Sequence, residues 1–195
     1  MVRLFIYLFN LDVHKLLTAA EIYRAAKKHF NMHSKPCPGC KTKGHLSSHG
    51  EYGHHLVDYY GGGVRDGSVE IDRVYCKSCK DTYSVLPDLF VPNTSYSILF
   101  IMLVLRAVML RKKGECVETV CKRYRVAVST YYRWKKRYRT YKSLCLGALG
   151  KYLYEEDPHL KEPINIFSTD FLYGFYQRFG FSFLEHSKAA ESGGP

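Results

Sequence analysis

A chain of 195 residues that is 46% hydrophobic and 15% aromatic can bury one medium core or two to three small ones, which excludes a mainly disordered polymer. Its formal net charge of +11 points to a polyanionic partner. From Arg106 to Lys142 thirteen basic residues face only Glu115 and Glu118, so this single stretch carries the whole net charge and the remainder is neutral. That pattern predicts one basic binding element on an otherwise ordinary protein.

The seven cysteines are odd in number, and four of them form two Cys-x-x-Cys pairs, which argues against a secreted disulfide scaffold and for a reducing compartment. The apolar run from Leu4 to Phe9 has no small-residue cleavage site after it, and the run from Ile98 to Leu105 is far short of the roughly 20 residues of a membrane span. A soluble cytoplasmic protein is expected.

In chain order, residues 1–35 predict a packing element: a short strand from Val2 to Phe9, then a helix from Asp12 to Phe30 with Asp12 as N-cap and Leu16, Ala19, Ala20, Tyr23 and Lys27 on one face. Residues 36–92 hold four cysteines and eight of the fifteen glycines. Strands are expected over Tyr52–Tyr60 and Ser68–Tyr75, joined across Gly61–Gly67, with Val69, Ile71 and Tyr75 sharing a face. Pro87 and Pro92 bracket Asp88–Val91 as a linker.

Over residues 93–142 the period becomes helical. A first helix begins near Ser95 or Tyr96 and shows Ile98, Ile101, Met102, Leu105, Val108 and Met109 on one side, ending at Lys112-Lys113-Gly114. A second carries Val117, Val120, Cys121 and Tyr124. After a break at Arg125–Ala127, a third lines up Val128, Tyr131, Trp134, Tyr138 and Tyr141. Residues 143–187 predict a helical accessory element, with Ser168 capping a helix over Thr169–Phe179, and residues 188–195 a disordered tail.

Cys37, Cys40, Cys76 and Cys79 are the candidate metal ligands. Two residues between thiolates allow a knuckle in which both sulfurs face one centre, and a hairpin can bring two knuckles together into the tetrahedral sulfur site that zinc prefers. Four thiolates leave no open position for substrate, so one structural zinc per chain is expected, acting as folding energy for a subdomain with little core of its own. The competing readings are a thioredoxin-like redox pair, buried cysteines at chance spacing and an iron–sulfur cluster. His45, His49, His54 and His55 read as surface residues, and Cys121 and Cys145 as core packing.

The stretch Cys116–Tyr138 has the anatomy of a helix-turn-helix. On its second helix, Tyr131, Trp134 and Tyr138 point inward, while Ser129, Thr130, Tyr132, Arg133, Lys135, Lys136, Arg137 and Arg139 are the candidate DNA contacts. Small hydroxyls at the helix start reach base edges, and cations one turn on meet phosphates. The alternatives are a solvated basic face and RNA binding. The fold class expected is α+β: a small β zinc ribbon, an all-α helix-turn-helix domain and a helical C-terminal element.

Together, CPGC, the glycine-rich hairpin, RVYCKSCKDTYSVLPDLFVP and VAVSTYYRWKKRY resemble the zinc ribbon and helix-turn-helix at the front of bacterial insertion-sequence transposases. They look closer still to short transposase-related bacterial proteins in which this front half stands alone. The resemblance covers about residues 36–142. It implies DNA binding in a mobile-element context and a nucleoid-associated location, with the four cysteines as zinc ligands and Ser129–Arg137 on DNA. The transposases' catalysis needs three acidic residues on a fold of well over ~100 residues, and only 51 follow Leu144 here. Glu155-Glu156-Asp157, Glu162, Asp170 and Glu185 have no strand pattern to array them.

The expectation is therefore a non-catalytic, sequence-selective double-stranded DNA-binding protein, a transposition accessory or a transcriptional regulator. Its other expected partners are a second copy of the chain through the C-terminal element and a separate transposase catalytic subunit, with no membrane. A zinc-ribbon protein–protein adaptor and the DNA-binding subunit of a split transposase are the alternatives.

Overall fold

A computed structural model describes residues 1–4, 18–141 and 184. The chain mixes α and β and divides into two compact units, Met1–Phe90 and Val91–Pro195. No helix among the described residues is long and apolar enough to cross a membrane.

The first unit contains β1 (Val2–Leu4), α1 (Ala19–Lys27), a 3-10 turn (Met32–Ser34), β2 (Leu46–Tyr60), β3 (Gly63–Cys76) and β4 (Thr82–Pro87). The sheet order is β1-β4-β3-β2, with β1 parallel to β4 and the other pairs antiparallel. The hairpin is tighter and longer than the glycine count suggests. Gly61 and Gly62, at φ +61° and +79°, make the whole turn, and Gly63–Gly67 continue the strand opposite Tyr60–Leu56. Only those two positions need the left-handed backbone of a two-residue hairpin.

The pairing jumps from Ser48–Val74 to Glu51–Asp72, so β2 holds an extra residue there, next to Gly50 at φ +94°. On one side of this bulge Leu56 shares a face with Val69 and Ile71; on the other, Leu46 shares the opposite face with Val74 and Cys76. All six are buried. The single face expected from Val69 through Tyr75 thus gives way at Val74, because the bulge lets β2 follow the change of face.

Helix α1 starts at Ala19, not at Asp12. Thr18 is extended, and its hydroxyl accepts from the Glu21 amide at 3.2 Å. The signal was Thr18-Ala-Ala-Glu21, a capping box. The buried Asp58 carboxylate accepts from the Ala19 amide at 2.7 Å, at the positive end of the helix. At the other end Lys27 pairs with Glu51 and Asp72, at 2.5 and 2.6 Å. Between them Tyr23 is fully buried against Phe90, and its hydroxyl accepts from the Asp72 amide; burial pushes its phenol up to about 12. This unit therefore has an apolar core of its own, built from Ala19, Ile22, Tyr23, Ala26, Leu56, Val69 and Ile71. Four of these residues, Ala19, Ile22, Tyr23 and Ala26, come from α1, ahead of the 36–92 stretch expected to have little core of its own.

The segment expected as a linker, Asp88–Val91, contains the boundary between the two units and is buried. Pro87 ends β4, and every residue from Val85 to Val91 is buried.

In the second unit α2 spans Ile98–Met109, α3 spans Val117–Arg123 and a further helix, α4, covers 128–141. Ser97 caps α2, accepting from Phe100 N at 3.1 Å, so the helix begins later than Ser95 or Tyr96. Seven of its twelve residues are buried, more than one apolar stripe provides, while Met109 from the expected face is exposed. Arg111 donates to the carbonyls of Val108 and Glu115 and stabilises the turn at Gly114. Helix α3 ends in a Schellman arrangement: Val126 N donates to Cys121 O, Arg125 N donates to Lys122 O, and Arg125 takes φ +53°. The turn buries Val126 and starts α4, where Tyr131, Trp134, Tyr138 and Tyr141 are all buried. Trp134 meets Tyr96 edge-on at 4.8 Å and Phe100 at 6.4 Å, which ties α4 to the start of α2.

The strand beyond Leu4, the Asp12 cap and Leu16, the helix over Thr169–Phe179 with its Ser168 cap, Cys145, the acidic residues from Glu155 onward and the tail lie outside the described residues.

Candidate metal centre and basic helix

The two Cys-x-x-Cys segments fold alike, bond for bond. In the first, Lys41 N donates to Cys37 O and Cys37 N to Thr42 O; in the second, Lys80 N donates to Cys76 O and Cys76 N to Asp81 O, all at 2.9–3.0 Å. Lys41 and Lys80 both take the left-handed backbone, φ +63° and +66°. The β2–β3 pairing places Leu46 opposite Cys76, and Lys77 N donates to His45 O, so the hairpin draws the knuckles together. Ser78 Oγ and His45 Nδ1, 2.5 Å apart, add a second link.

The four sulfurs lie within 4.8 Å of one another, with Cys37–Cys79 at 3.6 Å and Cys40–Cys76 at 3.7 Å. A tetrahedron with metal–sulfur bonds of about 2.3 Å has edges of roughly 3.8 Å, so the cluster fits a four-coordinate ion. These four cysteines can hold a metal ion.

Their electrostatics suit that use. Burial alone would raise the Cys37 thiol, yet the amides of Cys40 and Gly39 and the Tyr83 hydroxyl bring it below its ordinary value. Cys40 is lowered by the Thr42 hydroxyl and amide. For Cys76 the Cys79 amide pulls down, but burial and the neighbouring Cys37 and Cys79 thiols prevail and push it up to about 11. Thiols crowded around one centre share protons that a divalent cation displaces.

Two residues that the sequence did not mark shape this site. Opposite Val74 in the sheet, Tyr83 brings its hydroxyl to 3.5 Å from Cys79 Sγ, while also donating to Asp81 at 3.2 Å. A Cβ on Gly39 would fall 2.3 Å from that hydroxyl. Gly39→Ala is therefore expected to turn Tyr83 away and to weaken metal retention against a chelator by about 10–100-fold, the usual effect of losing an outer partner of a ligand. Adding Tyr83→Phe, which removes the clashing oxygen, should not weaken retention further; a second full drop would mean that Gly39 acts in some other way.

The histidines stand outside the cluster. His49 lies against the Tyr75 ring, His54 stacks on Phe90 and His55 pairs with Asp66. Cys121 is buried in the second unit, and exposed Cys116 has its thiol lowered by the neighbouring Thr119 hydroxyl.

A family model described as a domain of unknown function, DUF6431, matches residues 37–134, half of the chain. The chain belongs to the DUF6431 family. The DUF6431 match runs from the first knuckle cysteine to the buried Trp134, taking in both knuckles, β2–β4, α2, α3 and the first half of α4. No curated protein and no solved structure matches the chain.

On α4, Ser129, Tyr132, Arg133, Lys136 and Arg139 are exposed on the side away from the buried aromatics. Thr130 is half-buried, Lys135 lies 5.9 Å over the Tyr132 ring, and Arg137 donates to the carbonyl of Leu184. Lys135, Lys136, Arg137 and Arg139 fall beyond the DUF6431 match.

Proposed function

We propose that this DUF6431 protein is a non-catalytic, sequence-selective double-stranded DNA-binding protein, stabilised by one zinc ion in a ribbon-like knuckle pair and serving as a transposition accessory or transcriptional regulator. The observation that carries the reading is the division of α4. Four aromatics anchor one side in the core, and the opposite side offers a hydroxyl, an exposed tyrosine and three cations with no carboxylate among them. A helix set on its partner by a tight turn, polar at its start and cationic one turn later, suits entry into the major groove. An all-thiolate tetrahedral set suits zinc and leaves no position open for catalysis.

The test separates base reading from phosphate contact. Arg133→Ala is expected to cost about 1–3 kcal/mol on the preferred duplex and little on random duplex, through loss of a bidentate base contact. Lys136→Ala should weaken both alike and lower the salt slope by about one. Equal losses on both duplexes for both variants would reduce α4 to a plain basic surface, as an acidic protein partner would use.

A further inference from the structure

We propose that the knuckle end of the first unit is a second, sequence-independent contact for the phosphate backbone of duplex DNA, formed by Lys41, Lys43, Lys77 and Lys80. The proposal rests on the DNA-binding reading above but on different residues. The neutral charge total outside Arg106–Lys142 conceals a cluster of exposed lysines at the knuckles. Of the hairpin carboxylates, Glu51 and Asp72 pair with Lys27 and Asp58 is buried at the start of α1, while Asp66 and Glu70 lie farther toward the turn. The knuckle end carries Lys35, Lys41, Lys43, Lys77 and Lys80, and its one nearby carboxylate, Asp81, accepts from Tyr83.

Three observations set these lysines apart from ordinary surface charge. All four of the proposed contacts are exposed, and none is in an ion pair among the described residues. Lys41 and Lys80 occupy equivalent left-handed positions, one directly after the second cysteine of each knuckle. Glycine or asparagine satisfies that backbone at less cost, so lysine there is explained by its side chain and not by its conformation. A divalent ion on four thiolates leaves a formal charge of about −2, which two cations neutralise; the knuckle end has five. The surplus is exposed to solvent without a carboxylate partner among the described residues, which leaves it available to a polyanion.

The experiment uses the full chain with its metal, a random-sequence duplex and a salt titration of affinity. The variant combines Lys41→Gly and Lys80→Gly, which suit φ +63° and +66°, with Lys43→Gln and Lys77→Gln. Its salt slope is expected to fall by about three to four, so the loss of affinity between 50 and 200 mM salt shrinks by roughly a hundredfold, with one metal per chain retained. An unchanged slope with metal retained would overturn the proposal. Loss of metal with an unchanged slope would overturn it too, assigning the lysines to balancing thiolate charge. Lys136→Ala run beside it keeps the two readings distinguishable: a slope lowered there and unchanged in the knuckle variant defeats only this inference. A wild-type chain that binds no duplex defeats both.

Discussion

Cys37→Ser and Cys76→Ser are each expected to abolish metal binding and to release the knuckle end of the first unit. Three thiolates bind a divalent ion far more weakly than four, and for structural zinc sites the binding free energy, about 10–16 kcal/mol, is also folding energy. The effect has a boundary set by the fold. Amides of Cys37, Lys41, Cys76 and Lys80, hydrogen-bonded within the knuckles, and of Lys77, bonded to His45, should lose protection from exchange. Those beneath α1 should keep it, because Tyr23, Ile71 and the Lys27–Asp72 pair do not depend on the sulfurs. Metal analysis together with hydrogen exchange checks both parts. Full metal retention would remove the assignment, and loss of protection throughout residues 46–76 would show that the sheet and the metal are one cooperative unit.

Trp134→Ala should destabilise the second unit by about 3–5 kcal/mol, the cost of emptying a large aromatic site. Trp134 is 5% exposed and touches both Tyr96 and Phe100, so its removal leaves a cavity at the junction of α2 and α4. Arg133, its exposed neighbour, should leave stability within about 0.5 kcal/mol when replaced by Ala. Denaturant unfolding of the pair measures the contrast directly. A Trp134→Ala chain as stable as wild type would mean that α4 does not rest on this aromatic cluster, and the proposed exposed face would lose its geometric basis.

That contrast between adjacent residues was readable from the sequence, since 100° per residue separates Trp134 from Arg133 on any helix. The four ligand positions were readable for a similar reason: a two-residue spacing constrains both sulfurs locally, whatever surrounds them. Tyr83 and Gly39 were not, because their contact depends on which strand pairs with which. Nor were the lysines of the knuckle end, whose charge disappears into a neutral total until the folded chain pairs Glu51 and Asp72 with Lys27 and buries Asp58.

The same division runs through the fold. Local periodicity determined that helices lie near Ile98–Met109, Val117–Arg123 and 128–141, and short-range signals such as Thr18-x-x-Glu21 and Gly61-Gly62 specify cap and turn. Tertiary contacts alone decided that β3 changes its buried face at Val74, where an extra residue in β2 keeps both strands in register. They also decided that Asp88–Val91 is buried despite its flanking prolines, and that an apolar core under α1 stands beside the metal site. Those outcomes depend on residues brought together from distant parts of the chain, and a pattern read over a few neighbours carries no information about which distant surfaces will meet.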